Sequence, residues 1–222
     1  MRGMGVDGRD HEFAGATSTA SLFVLFADEV APRDKAMKRG FTVPGKDVKV
    51  QEVALAQLLA AGTLWSMREQ GLVSLAVVAE ERKSLFGRTK TSTVVRVERT
   101  GKEAPGIDGL AAKMVPAEGT SAWRVAASLV GQKSQHPGAQ LVSRMILLAA
   151  EEGVVESQVG KWTSAKAHPP SPERLAALKP VFAEVRDGWL MFQEREPELA
   201  KALLAECKSG IDTMLSESTS SV

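Results

Sequence analysis

The strongest periodic signal along the chain begins at Gln51. Leu55, Leu58, Leu59 and Trp65 recur at helical spacing over residues 51–70, Gly62 stands at the i+7 place, and Ala54, Ala56, Ala60 and Ala61 fill the other faces. A helix apolar on so many sides is a buried one. Gly62 costs it about 1 kcal/mol relative to Ala, which points to a neighbouring backbone packed close by. Arg68, Glu69 and Gln70 make a polar last turn and Gly71 a left-handed stop. Leu72 to Val78 is then β-prone, and Thr91 to Thr100 alternates, with Thr93, Val95 and Val97 opposite Val94, Arg96 and Glu98. Together they predict a hairpin.

After Pro105-Gly106 the period returns to that of a helix. Ile107, Leu110 and Met114 predict one, Trp123, Ala126, Ala127 and Val130 a second. A third starts at Pro137, with Leu141, Met145, Leu148 and Ala149 beside Val142 and Ile146, and stops at Gly153. Its end, Glu151-Glu152-Gly153-Val154-Val155, echoes Glu69-Gln70-Gly71-Leu72-Val73: helix, glycine stop, β-prone pair. Val154 to Ala167 predicts a second hairpin with Gly160, Lys161 and Trp162 near its turn. Ser171 starts a helix lined by Leu175, Leu178, Phe182, Val185 and Trp189, which Pro180 is expected to break in two. A last helix from Pro197 carries Leu204, Cys207, Ile211 and Leu215. At the other end, residues 1–20 are rich in Gly, Asp, Ser and Thr without period and read as an arm with no core contact. Ser21 to Val30 forms a short helix, followed by a loop through Pro32, the charges of 33–39 and Pro44-Gly45. The expected fold is mainly α: a single helical domain with two small β-hairpins and winged-helix-like helix-strand units. Its organisation is an arm at 1–20, a short helix and loop at 21–50, the helical domain at 51–216 and a frayed end at 217–222.

Composition narrows the function classes. With 28 Lys and Arg against 27 Asp and Glu, the 222-residue chain has a formal charge of +1, so any affinity for polyanions must be local. Hydrophobic residues at 44% and charged ones at 25% suit a soluble domain with a real core and exclude wholesale disorder. The apolar run Ala20 to Ala27 is far shorter than the roughly 20 residues of a bilayer span. Asp7, Arg9, Asp10, His11 and Glu12 ahead of it do not suit a secretory signal. The expected location is cytoplasmic, with association at a membrane surface left open. The single cysteine, Cys207, excludes an internal disulfide and a cysteine-based zinc finger.

Candidate chemistry is sparse. Gly3-Met4-Gly5-Val6-Asp7-Gly8 spells a dinucleotide pattern but lacks the preceding strand that the mechanism needs. His11, His136 and His168 lie in three separate regions, and Cys207 sits on an apolar stripe where a buried hydrophobe is the simpler reading. No catalytic residue, metal or cofactor is assigned, and the chain is expected not to be an enzyme. Two features stand out. Arg82, Lys83, Arg88 and Lys90 fall in a stretch from Arg82 to Arg96 without an acidic residue, where they suit phosphates, with Ser84 and Thr89 as hydroxyl donors; a solvated turn is the plainer alternative. Lys161 and Trp162, at the second turn, suit a membrane interface, with packing against the domain as the alternative.

The order of these elements resembles a known family. A Leu/Ala-rich helix runs into a strand, then come Arg82-Lys83-Ser84-Leu85, Ala104-Pro105-Gly106-Ile107-Asp108-Gly109-Leu110, a helix at Trp123, a helix ending Glu151-Glu152-Gly153-Val154-Val155, a hairpin and His168-Pro169. Over roughly residues 50–215 this resembles the Golgi phosphoprotein 3 family. The resemblance implies a mostly helical, non-catalytic domain that binds the head group of phosphatidylinositol 4-phosphate, inserts a hairpin in the membrane and acts as an adaptor. It adds Arg144 to Arg82, Lys83, Arg88 and Lys90, which charge alone singles out, as anion- or lipid-binding residues, and implies a membrane hairpin at Lys161 and Trp162. The family also uses a Trp and an Arg before the first buried helix; here Phe41 to Val50 has neither, and Arg144 is the only arginine of the later helix. The expected partners are anionic membrane lipids, with a protein partner and a homo-oligomer left open. Two alternatives stand: a soluble protein-interaction domain without lipid binding, and a winged-helix nucleic-acid-binding protein with 82–90 as the wing. Arg68 as the only basic residue of the 51–70 helix argues against nucleic acid.

Overall fold

The helix expected over 51–70 lies at the centre of the molecule. In a computed structural model, which describes residues 17–34, 40–83, 89–159 and 165–215, the elements are α1 (Thr19–Leu25), α2 (Ala27–Val30), β1 (Gly40–Thr42), β2 (Lys49–Gln51), α3 (Glu52–Glu69), β3 (Val73–Lys83), β4 (Thr89–Arg99), α4 (Gly106–Lys113), β5 (Thr120–Ser121), α5 (Ala122–Val130), α6 (Pro137–Glu151), β6 (Glu156–Val159), β7 (Ala165–His168), α7 (Pro172–Arg195) and α8 (Pro197–Thr213). The architecture is mostly helical with small antiparallel sheets, ordered β1-β2, β3-β4-β5 and β6-β7.

Leu55, Ala56 and the whole run from Leu59 to Met67 on α3 are buried, and the helix packs against α1, α4, α6 and α8. Leu58 is only half-buried, so the expected stripe is displaced, with Leu64 buried in its place. At Gly62 the close neighbour is a side chain rather than a backbone: a Cβ there would stand 2.8 Å from Phe23 Cε2. Phe23 belongs to α1, all seven residues of which are buried. Trp65, Trp189 and Phe192 form an aromatic cluster beside it, with Trp65 and Trp189 edge to face at 5.6 Å.

Several expectations need correction. Ser18, Thr19 and Ala20 are not part of a free arm; Ser18 caps α1 by accepting from Ser21 N, and all three are buried. The stretch read as a loop holds the β1-β2 hairpin, turned at Pro44-Gly45 with Gly45 at φ 71°, because Phe41 and Val50 can both bury on its inner face. On α4, Ile107, Ala111 and Ala112 face the core while Leu110 and Met114, expected on the same stripe as Ile107, are exposed. Pro180 lies inside an unbroken α7, where Ala176, whose carbonyl loses its helical partner, is exposed and open to water. Leu215 falls beyond α8 and is exposed; Leu199, Leu203, Cys207 and Ile211 make the buried stripe, and burial pushes the Cys207 thiol up. Finally, the strands of the first hairpin run eleven residues each, so Arg82, Lys83 and Lys90 lie in the ladder and not in the connection.

Candidate anion-binding site

The junction of α5 and α6 is built by glycine, proline and an arginine. The C-terminal turn of α5 leaves carbonyls without helical partners. Two side chains one turn apart on α6 take them up: Arg144 Nη1 donates to Leu129 O at 2.7 Å and to Ser128 O at 3.4 Å, and Gln140 Nε2 donates to Val130 O at 3.1 Å. A cation at this helix end is also favoured by the helix dipole. Gly131 then turns the chain at φ 93°, and a Cβ there would overlap Arg144 Nη1, so the position demands glycine on two counts. The connecting loop is held from the other side by Ser134, whose N–H donates to Met214 O at 2.9 Å just past α8. His136 and Pro137 open α6, and among the described residues no side chain caps it, so the Gly138 and Ala139 amides are without helical acceptors.

These pieces enclose a solvent-facing cavity of about 710 Å³ lined by Gln132, Ser134, His136, Ser143, Arg144 and Leu147, among others. Lys133 is exposed on the same loop. Glu52, at the start of α3, lies near His136; burial pushes its carboxyl up and His136 pulls it down. The lining thus offers a fixed guanidinium, an imidazole, hydroxyls and, at Ala139, the edge of the first turn of α6, a donor set that suits a phosphate.

Among the residues expected from sequence, Arg144 lies in this cavity. Arg82 and Lys90 are direct partners in the β3-β4 register, as are Lys83 and Thr89. Arg88, Lys161 and Trp162 lie outside the described residues. Cavity and hairpin share α5, which touches β4 and borders the cavity with its last turn. Sequence reasoning missed Ser134, His136, Gln140 and Ser143. A signal was available for two of them, since His136 directly precedes the Pro137 helix start and Gln140 stands one turn before Arg144.

It also missed two buried acids at the opposite end of α6. Glu152 Oε2 accepts from Ser18 N at 3.0 Å, Ser18 Oγ at 2.9 Å and Ser21 Oγ at 2.7 Å, while Oε1 accepts from Ile107 N at 3.1 Å. One carboxylate so joins α1, α4 and α6. Next to it Asp108 Oδ2 accepts from Ser66 Oγ at 2.7 Å and Gln70 Nε2 at 2.5 Å. Burial pushes the Asp108 carboxyl up to about 6, against the pull of those two hydrogen bonds and with a further push from Glu152.

Among the described residues no three His, Cys, Asp or Glu converge as a metal site, and no helix is long and apolar enough to cross a membrane. No family model, curated protein or solved structure matches the chain.

Proposed function

We propose that this protein is a non-catalytic peripheral membrane adaptor that takes an anionic, phosphoinositide-type head group in the α5-α6 cavity. The observation that carries the reading is Arg144, held by the α5 carbonyls at the wall of an open cavity beside an uncapped helix start. The cap engages Nη1, and a guanidinium carries five N–H donors. In this reading Arg82, Lys83, Arg88 and Lys90 on the first hairpin add electrostatic attraction to the anionic surface, and Lys161 and Trp162 enter the interface. The resemblance to the Golgi phosphoprotein 3 family supports the same assignment. The two helix-then-strand units, α3 into β3 and α6 into β6, are winged-helix-like in connectivity. The enclosure of α3 leaves little of it to enter a DNA groove, which favours lipid over nucleic acid.

Flotation with anionic and zwitterionic vesicles tests this. The parent is expected to float with anionic vesicles only, and less so as salt rises. Ser143→Glu, which puts a negative charge in the cavity without touching the α5 cap, is expected to lower binding at least tenfold. Alanine at Arg82, Lys83, Arg88 and Lys90 together is expected to weaken binding and flatten its salt dependence. Parent protein that floats with neither vesicle, or Ser143→Glu that floats as well as the parent, contradicts the reading and leaves a protein-interaction domain in its place.

A further inference from the structure

The two acids at the far end of α6 have no part in that function, and they form a junction that a proton can operate. Asp108 is 2% exposed and its Oδ1 is buried without a hydrogen-bond partner among the described residues, although Oδ2 accepts two. A second carboxylate, Glu152, bonds the preceding residue, Ile107, through its backbone N–H. An ionised Asp108 therefore holds charge on an unpartnered oxygen out of water beside a second carboxylate, whereas the neutral acid carries no charge there.

We propose that Asp108 is a proton-operated latch: when neutral it seats the first turn of α4 on α3 and on the Glu152 junction, and when ionised it loosens that turn. The charged group facing Asp108 from α6 is Glu152. From α3 come Ser66 and Gln70, while Arg68 is turned to Glu196 at 2.8 Å and to the Phe192 ring, and Glu69 is exposed. From α1 come the hydroxyls of Ser18 and Ser21, both bound to Glu152. Lys102, on the approach to α4, is tied to Gln70 O at 2.7 Å. The element that the latch governs presents Leu110 and Met114, one turn apart, to solvent. Its firmness therefore sets the order of an apolar surface.

The sign follows from linkage. A carboxyl raised on folding is protonated only in the seated state between the ordinary Asp value near 3.9 and about 6, so opening grows with pH across that window and levels off above it. Hydrogen exchange of the 106–113 amides, corrected for intrinsic rate, tests this between pH 4.5 and 6.5. The parent is expected to show opening that rises about tenfold or more over that range. Asp108→Asn, which keeps the acceptor for Ser66 and Gln70 but cannot ionise, is expected to be flat. A carbon-13 titration of the Asp108 carboxyl in the unaltered protein gives a reading that does not depend on the variant folding, with a midpoint expected well above 3.9. Flat parent exchange, an Asp108→Asn slope equal to the parent's, or a carboxyl midpoint near 4 overturns the proposal.

Discussion

Arg144, midway along α6, and Glu152, just past its last residue, do the same kind of work. Each collects backbone groups that helix ends leave unsatisfied: Arg144 takes carbonyls at the end of α5, and Glu152 takes amides at the starts of α1 and α4. Their side chains are spent on the fold first, and whatever chemistry they add comes from donors or charges beyond those bonds. Close backbone approach is the other device at this scale. Gly210 on α8 meets the Trp123 carbonyl of α5, and a Cβ there would overlap it. Alanine favours a helix interior over glycine by about 1 kcal/mol, but here the methyl must push two helices apart. Gly210→Ala is therefore expected to destabilise by about 1 to 3 kcal/mol in urea denaturation. A gain in stability would show that α5 and α8 are not in contact at that point.

Among the elements, α3 decides most. Leu59 is fully buried on it and Leu58 half-buried, although the periodicity gives them equal weight. Leu59→Ala is expected to cost about 2 to 5 kcal/mol, with Leu58→Ala clearly less. Equal losses would mean that both sides of α3 are enclosed alike. The contrast shows where the sequence was legible. Long apolar periods located α3 and α6 almost to the residue, and the glycine stops at Gly71 and Gly153 marked the entry to both expected hairpins. What it did not disclose depends on partners distant along the chain. Phe23 seats on Gly62 and Ser18 on Glu152 across 134 positions, so no local pattern could turn an apparent arm into core. The exposure of Leu110 and Met114 has the same cause, because the helix packed against α4, not its own periodicity, decides which face is buried. Arg144 was legible as an isolated cation but not as the wall of a cavity, since the wall is completed by a loop that α8 holds in place.

At the scale of the molecule, the charge of +1 leaves no general attraction to an anionic surface, so recognition has to be concentrated in patches. The α5-α6 cavity supplies fixed donors, and the basic stretch around the first hairpin supplies charge without an acid between Arg82 and Arg96. Under the proposed function the two divide the labour: the cavity would recognise the head group and the hairpin would set how strongly salt weakens attachment. The most direct measurement is a titration of the protein with the water-soluble head group of phosphatidylinositol 4-phosphate, followed by amide chemical shifts. Saturable shifts are expected, concentrated at Gly131 to Arg144 and above all at the Ala139 amide, with their loss in Ser143→Glu. Shifts absent from that segment at saturating head group, or confined to the first hairpin, would contradict the proposed function.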